Sequence, residues 1–169
     1  MNFFARLFIS VLISQNIFAA SGAVDILLKS AVTVKVFSPL KDINLEKAPF
    51  GYMINRVVIS ALDLSVTPAA AKGNLHSSKF LNSDKYPQIV VSNVKCVIKN
   101  KTNLNEEGNC TGNLGIKGQT RPITTARFSV LNKELRITFT FSISSYGIAD
   151  KVFLFKIDDS AQAVVRIGL

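Results

Sequence analysis

From Leu135 to Ile143 the chain alternates without a slip. Leu135, Ile137, Phe139, Phe141 and Ile143 fall on one face, and Arg136, Thr138, Thr140 and Ser142 on the other. Strict alternation over this length predicts a half-buried antiparallel strand, one face inward and one in water. Similar runs recur. Val32, Val34 and Val36 alternate with Thr33, Lys35 and Phe37, and the β-branched run Val57–Val66 stops at Pro68. Ile89–Ile98 is apolar until the polar turn Asn100–Gly108, and Asn109–Lys117 resumes the pattern. Ile123–Val130 follows Pro122, which can start a strand but not occupy its centre. Leu131–Glu134 reads as a hairpin connection. Lys151–Ile157 and Ala161–Ile167 read as two last strands parted by Asp158, Asp159 and Ser160. Only Ala69–Leu81 has room for a short helix. Short strands at near-even spacing predict an all-β sandwich or barrel, and 169 residues suit one domain.

The N-terminus breaks this pattern. Residues 3–20 read FFARLFISVLISQNIFAA, with Arg6 ahead of a short apolar run and small residues at Ala19, Ala20, Ser21 and Gly22. This is the layout of a secretory signal peptide. Ser14, Gln15 and Asn16 interrupt the run before it reaches the roughly 20 apolar residues of a membrane span. The reading is a signal peptide over residues 1–20, cleaved between Ala19 and Gly22, and a single domain over 21–169 in the periplasm or outside the cell. An N-terminal anchor or a buried first helix is the alternative.

The formal net charge of +9 falls to +8 without Arg6. The Lys and Arg residues are scattered, with no run of five or six, and export argues against nucleic acid as a partner. The charge then solvates the exterior, or gives a weak attraction to an anionic membrane surface. Two cysteines, Cys96 and Cys110, in an exported chain favour a disulfide over two buried thiols. Placing them opposite each other sets Val94 against Gly112, Ser92 against Leu114, Val90 against Ile116 and Ile98 against Gly108. That register gathers Val90, Val94, Cys96, Ile98, Leu114 and Ile116 on one face, with Ile89, Val91 and Val97 left as exceptions on the polar side. His76 is the sole histidine and no third ligand lies near it in sequence, so a metal site is not expected.

Catalytic chemistry is sparse. His76 adjoins Ser77 and Ser78, but neighbours in sequence are not a triad. Glu106–Glu107 and Asp158–Asp159 read as solvated turns. Gly112, Gly115 and Gly118 do not lead into a phosphate-binding helix; they suit a coiled strand and a turn. The chain is therefore not read as an enzyme. Its surplus is apolar: Phe128, Phe139, Phe141, Phe153 and Phe155 on strands, Phe50 and Phe80 in segments that would cover a barrel mouth. These residues fit either a filled core or an eight-strand barrel with room for one apolar ligand.

Three segments resemble the YceI-like family of exported polyisoprenoid-binding proteins. The first holds His76, Lys79, Phe80, Leu81, Tyr86 and Pro87. The second holds Gly112, Leu114, Ile116, Lys117, Gly118, Thr120, Arg121 and Pro122. The third holds Tyr146, Gly147 and Ile148. Many members carry an Arg and an Asp where this chain has Ile143 and Ser145, and an Arg-Asp-like step where it has Gly73-Asn74. The resemblance implies a lipocalin-like antiparallel barrel of about eight strands, with a short helix or ordered loop near residues 69–87. It implies no cofactor, and a long isoprenoid or other apolar lipid held inside for carriage or sequestration. Phe80, Leu114, Ile116, Phe128, Phe139 and Phe141 are then the expected cavity lining, with His76 and Tyr146 at the rim. A chain of roughly forty carbons at about 0.3 kcal/mol per heavy atom reaches sub-micromolar binding after losses. The alternative is an envelope stress or interaction protein with a filled barrel and no ligand. Edge strands or a shared mouth would support a homodimer.

Overall fold

The structure, a computed structural model, describes residues 20–30, 33–103, 105–148 and 156–169. The proposed signal peptide, Phe153 and Phe155, and most of the expected strand Lys151–Ile157 lie outside these residues. The strands are β1 (Gly22–Ser30), β2 (Val34–Ala48), β3 (Gly51–Ser60), β4 (Ser65–Thr67), β5 (Gln88–Lys101), β6 (Asn105–Ile116), β7 (Gln119–Leu131), β8 (Glu134–Ser142) and β9 (Ile157–Gly168). Between β4 and β5 lie a helical turn, Ala69–Ala71, and a short helix α1 (Lys72–His76). A second helical turn, Ser144–Tyr146, follows β8.

The pairing is antiparallel throughout, in the order β1-β9-β8-β7-β6-β5-β3-β2. β1 then pairs with β2, from Ala23 opposite Pro39 to Leu28 opposite Val34, which closes eight strands into a barrel. Closure removes the sheet edges, so every strand must turn one face inward. β4 adds three pairs to β2, from Lys35 opposite Thr67 to Phe37 opposite Ser65, beyond the point where β3 ends. The expected strand Val57–Val66 is therefore two strands parted by a turn.

β8 shows the expected alternation: Leu135, Ile137 and Phe139 are buried and Arg136 and Thr140 exposed. Ile143 lies just past the strand, still buried. β9 corrects the reading of Asp158, Asp159 and Ser160 as a break, because the strand runs straight through them. Asp159 instead accepts hydrogen bonds from the Ser144 N–H (2.8 Å) and the Ser142 hydroxyl (2.7 Å), which hold the helical turn after β8. β7 likewise begins before Pro122, at Gln119.

The Cys96–Cys110 disulfide is present, and the two residues are directly opposed. The register expected on either side holds from Lys95, opposite Thr111, to Ile98, opposite Gly108. At Asn93, with φ 51°, β5 carries one extra residue, so Ser92 faces Asn113, Val91 faces Leu114 and Val90 faces Gly115. A bulge of one residue exchanges the two faces of a strand. Ile89 and Val91 therefore point inward before it, and Val94 and Cys96 after it. Two of the apparent exceptions in the sequence pattern are the signature of this bulge; Val97 remains exposed. Gly112 lies across from it, where a Cβ would meet Val94 Cγ2 at 2.9 Å.

The disulfide closes a loop of 14 residues in sequence. Replacing both cysteines by alanine is expected to keep the barrel but cost about 3 kcal/mol, a fall in Tm of roughly 6–12 °C for a domain of this size. Thermal melts of the double variant, and of the protein with and without reductant, measure it.

Candidate functional site

The barrel has two unlike ends. At one end, the chain between β3 and β5 folds back as a lid over residues 61–87. Its base is fastened by the Ala61 N–H donating to the Pro87 carbonyl at 2.9 Å. Inside the lid, α1 gives way to tight turns: Leu81 N–H donates to the Leu75 carbonyl, and Tyr86 N–H to that of Asn82. These turns point Ala71, Leu75, Phe80 and Leu81 into the barrel, all at 5% exposure or less. Burying Phe or Leu gains about 1.5–3 kcal/mol each, so the lid is held mainly by its apolar underside.

Under the lid lies a small, partly open space of about 30 Å³. Its walls come from β1 and β2 (Ile26, Leu28, Val36), the lid (Leu75, Phe80, Leu81) and Ile116, Phe141, Ile143 and Ile148. No polar side chain is among its lining residues. Ile143, where the family resemblance implies an arginine, keeps this wall apolar. A second void of about 10 Å³ deeper in the barrel is lined by Val91, Val94, Ile123, Ile137, Phe139 and their neighbours.

Of the residues expected to line a cavity, Phe80, Ile116 and Phe141 therefore meet around the first space and Phe139 lines the second. Leu114 and Phe128 are buried in the core, away from both. Phe128 packs edge-on against Tyr52, with ring centroids 5.9 Å apart. Phe50, grouped with Phe80 as mouth cover, sits at the opposite end of the barrel and is 81% exposed.

The two rim expectations diverge. His76, at the end of α1, is half-buried, and its Nδ1 lies 2.9 Å from the Ser83 hydroxyl. Ser83 is fully buried, and this Ser–His contact braces the lid. Tyr146, by contrast, is only 2% exposed and so is no rim residue. Its ring meets Phe141 edge-on, its hydroxyl donates to the Leu114 carbonyl at 3.2 Å, and burial pushes the phenol up to about 12.

Sequence reasoning missed the latch. Lys117, in the tight turn between β6 and β7, has φ 53° and is followed by Gly118 at φ 74°. Two successive positive φ values make the turn that matches strand twist. The turn aims the Lys117 ammonium across the barrel mouth, where it donates to the Ser78 carbonyl (3.1 Å) and the Gly147 carbonyl (3.0 Å). One side chain thus ties the lid to the turn after β8. Arg121 adds a bond from Nε to the Ser145 carbonyl at 3.2 Å. Gly118 lies under the Tyr86 ring, which a Cβ would approach to 2.9 Å. Positive-φ turns and lid carbonyls leave no trace in hydrophobic patterning. Ile26 and Leu28 were missed too, because the neighbouring Leu27 obscures the alternation of β1.

The other end is sealed by polar groups. Tyr52, 2% exposed, donates its hydroxyl to Glu106 Oε2. Glu106 also pairs with Lys101 at 2.8 Å and Lys47 at 3.8 Å. Among the described residues, no group of three or more His, Cys, Asp or Glu is placed to hold a metal.

An eight-strand antiparallel barrel with an apolar interior, covered at one end and sealed at the other, defines a lipocalin-like fold. The chain belongs to the YceI-like family: the YceI-like domain matches residues 14–168. Among solved structures, it is similar to Burkholderia cenocepacia BcnA at 14% identity, covering 86% of this chain and 94% of that one, with a TM-score of 0.67. A polyisoprenoid binding domain from Saccharophagus degradans implicated in plant cell wall breakdown is similar at 8% identity, covering 88% and 96%, TM-score 0.61. The Campylobacter jejuni YCEI protein matches at 14% identity over 77% and 80%, TM-score 0.60. At these identities the likeness is one of fold. No curated protein matches the sequence.

Glu106 gives the sealed end a pH signature. Its carboxyl lies below the usual carboxylate range, held there first by Lys101 and then by the Tyr52 hydroxyl. A depressed folded pKa contributes stability that is complete above the unfolded value of about 4.3 and lost as pH falls through the folded one. Glu106→Gln is expected to cost about 1–3 kcal/mol near neutral pH. It should also flatten the fall in Tm below about pH 4.3, as thermal melts across acid pH would show.

Proposed function

We propose that this protein binds one apolar lipid chain, of polyisoprenoid type or similar, through the lid end of its barrel. It does so as an exported protein of the periplasm or exterior that carries or sequesters the lipid. The observation that carries this reading is the wholly apolar space beneath the segment 61–87, walled by Ile26, Val36, Phe80, Ile116, Phe141 and Ile143. The relative from S. degradans, a polyisoprenoid binding domain on the same fold, supports it. Phe139 lines the second void deeper in the barrel, Tyr146 backs the wall through its contact with Phe141, and His76 braces the lid, while Leu114 and Phe128 belong to the packed core. The reading is of binding, not catalysis.

A space of about 30 Å³ holds no lipid chain, whereas ligand sites commonly span about 300–1,000 Å³. Binding on this account exchanges one apolar filling for another. Phe80, Leu75 and Leu81 withdraw with the lid, and the guest occupies the volume they leave. Each lid residue gives up about 1.5–3 kcal/mol of burial, which the guest's own buried area offsets at about 25 cal/mol per Å².

The small volume also favours a second reading, a filled barrel acting as an envelope interaction protein without a ligand. Native mass spectrometry of protein purified from its own host separates the two. The lipid-binding account predicts a heavier species that loses the added mass on organic extraction and regains it with a polyprenol. No co-purifying lipid and no uptake of a polyprenol would leave the filled barrel standing.

A further inference from the structure

Away from the lid, the outer wall formed by β5–β8 carries a shallow groove of about 350 Å³. Lys99, Asn100, Glu107, Asn109, Arg127 and Arg136 are among its lining residues. The register explains its position: Asn109 faces Val97 on one side and Arg127 on the other, and Ser129 faces Glu107 and Arg136. Arg136 pairs with Glu134, and Glu107 accepts a bond from the Asn105 amide. Lys99 and Arg127, and Lys95 four residues before Lys99 in β5, have no ion pair among the described residues.

Beside this basic groove the chain exposes apolar groups with no structural task. Val97, on the outer face next to Asn109, is 55% exposed. Phe50 stands at the tip of the β2–β3 turn, and its carbonyl is held by the Ile98 N–H at 2.9 Å, which places it next to Val97. Lys47 and Lys101 lie at the same end, where both reach Glu106. An aromatic side chain at a turn tip, an exposed valine and cations around both match the boundary between headgroups and acyl chains of an anionic bilayer. A free anion would use the groove but gain nothing from Phe50 or Val97.

We propose that this end of the barrel docks on an anionic lipid bilayer, with Phe50 inserted and Lys99 and Arg127 on the headgroups, leaving the lid free. The chain contains no tryptophan, so Phe50→Trp creates a single reporter, and Lys79→Trp on the exposed lid surface a control. With vesicles of phosphatidylcholine and phosphatidylglycerol, the Phe50→Trp emission is expected to shift to the blue and the Lys79→Trp emission to stay put. Vesicles of phosphatidylcholine alone should shift neither. Lys99→Gln with Arg127→Gln is expected to weaken vesicle binding roughly 25-fold, at about fivefold per charge, with Tm unchanged. A shift at Lys79→Trp but not at Phe50→Trp would overturn the proposal, as would equal binding to both vesicle types. So would a double variant that binds vesicles as the unaltered protein does, or one that loses only binding to a soluble polyanion.

Discussion

The insertion of Phe80, Leu75 and Leu81 into the mouth of the barrel is the contact on which the rest of the molecule turns. A barrel of eight strands has an interior just wide enough for its own side chains or for one small guest. Here the strands supply most of the filling, and the lid supplies the part nearest the opening. On the proposed lipid-binding account, the lid is the section of core that gives way to the guest. Its turns, the Ala61–Pro87 bond at its base and the His76–Ser83 contact give it a defined shape. Lys117 sets how firmly it is shut.

The two ends of the barrel divide the labour by chemistry. The lid end is apolar beneath and fastened by hydrogen bonds from Lys117 to backbone carbonyls, contacts of modest strength that water can replace. The sealed end joins the buried Tyr52 and Glu106 to the exposed ammonium groups of Lys101 and Lys47, and breaking the Tyr52–Glu106 bond strands polar groups away from water. The polar fastening is thus weak at the lid end, where apolar burial does most of the holding, and strong at the other. The disulfide between β5 and β6 ties neighbouring wall strands and leaves the lid untouched.

How much of this the sequence discloses depends on the physics of each part. The wall of β8 is legible because burial imposes a period of two and no residue interrupts it. The bulge at Asn93 is not, since one extra residue reverses the faces and makes Ile89 and Val91 look misplaced until the pairing is seen. Asp158–Ser160 reads as a turn by composition, yet the strand continues because the Asp159 carboxylate finds donors at Ser142 and Ser144. The site shows the same split. Phe80, Ile116 and Phe141 are recognisable as apolar residues in recurring segments and do converge. Lys117 looks like any surface lysine, and only the fold brings its ammonium to two carbonyls from segments far apart in sequence. Tyr146 looks like a rim aromatic and is a buried wedge, because the helical turn after β8 tips it inward against Phe141.

The central claim is that an apolar chain gains admission by displacing the lid. The direct measurement is the rate at which Lys117→Met takes up a polyprenol, beside the unaltered protein. Losing two bonds of about 0.5–1.5 kcal/mol each should open the lid more often and raise the uptake rate roughly 5- to 160-fold, with hydrogen exchange of the lid amides rising in step. Faster exchange of the lid with no change in uptake would contradict the account, because the chain would then reach the interior by another route or not at all.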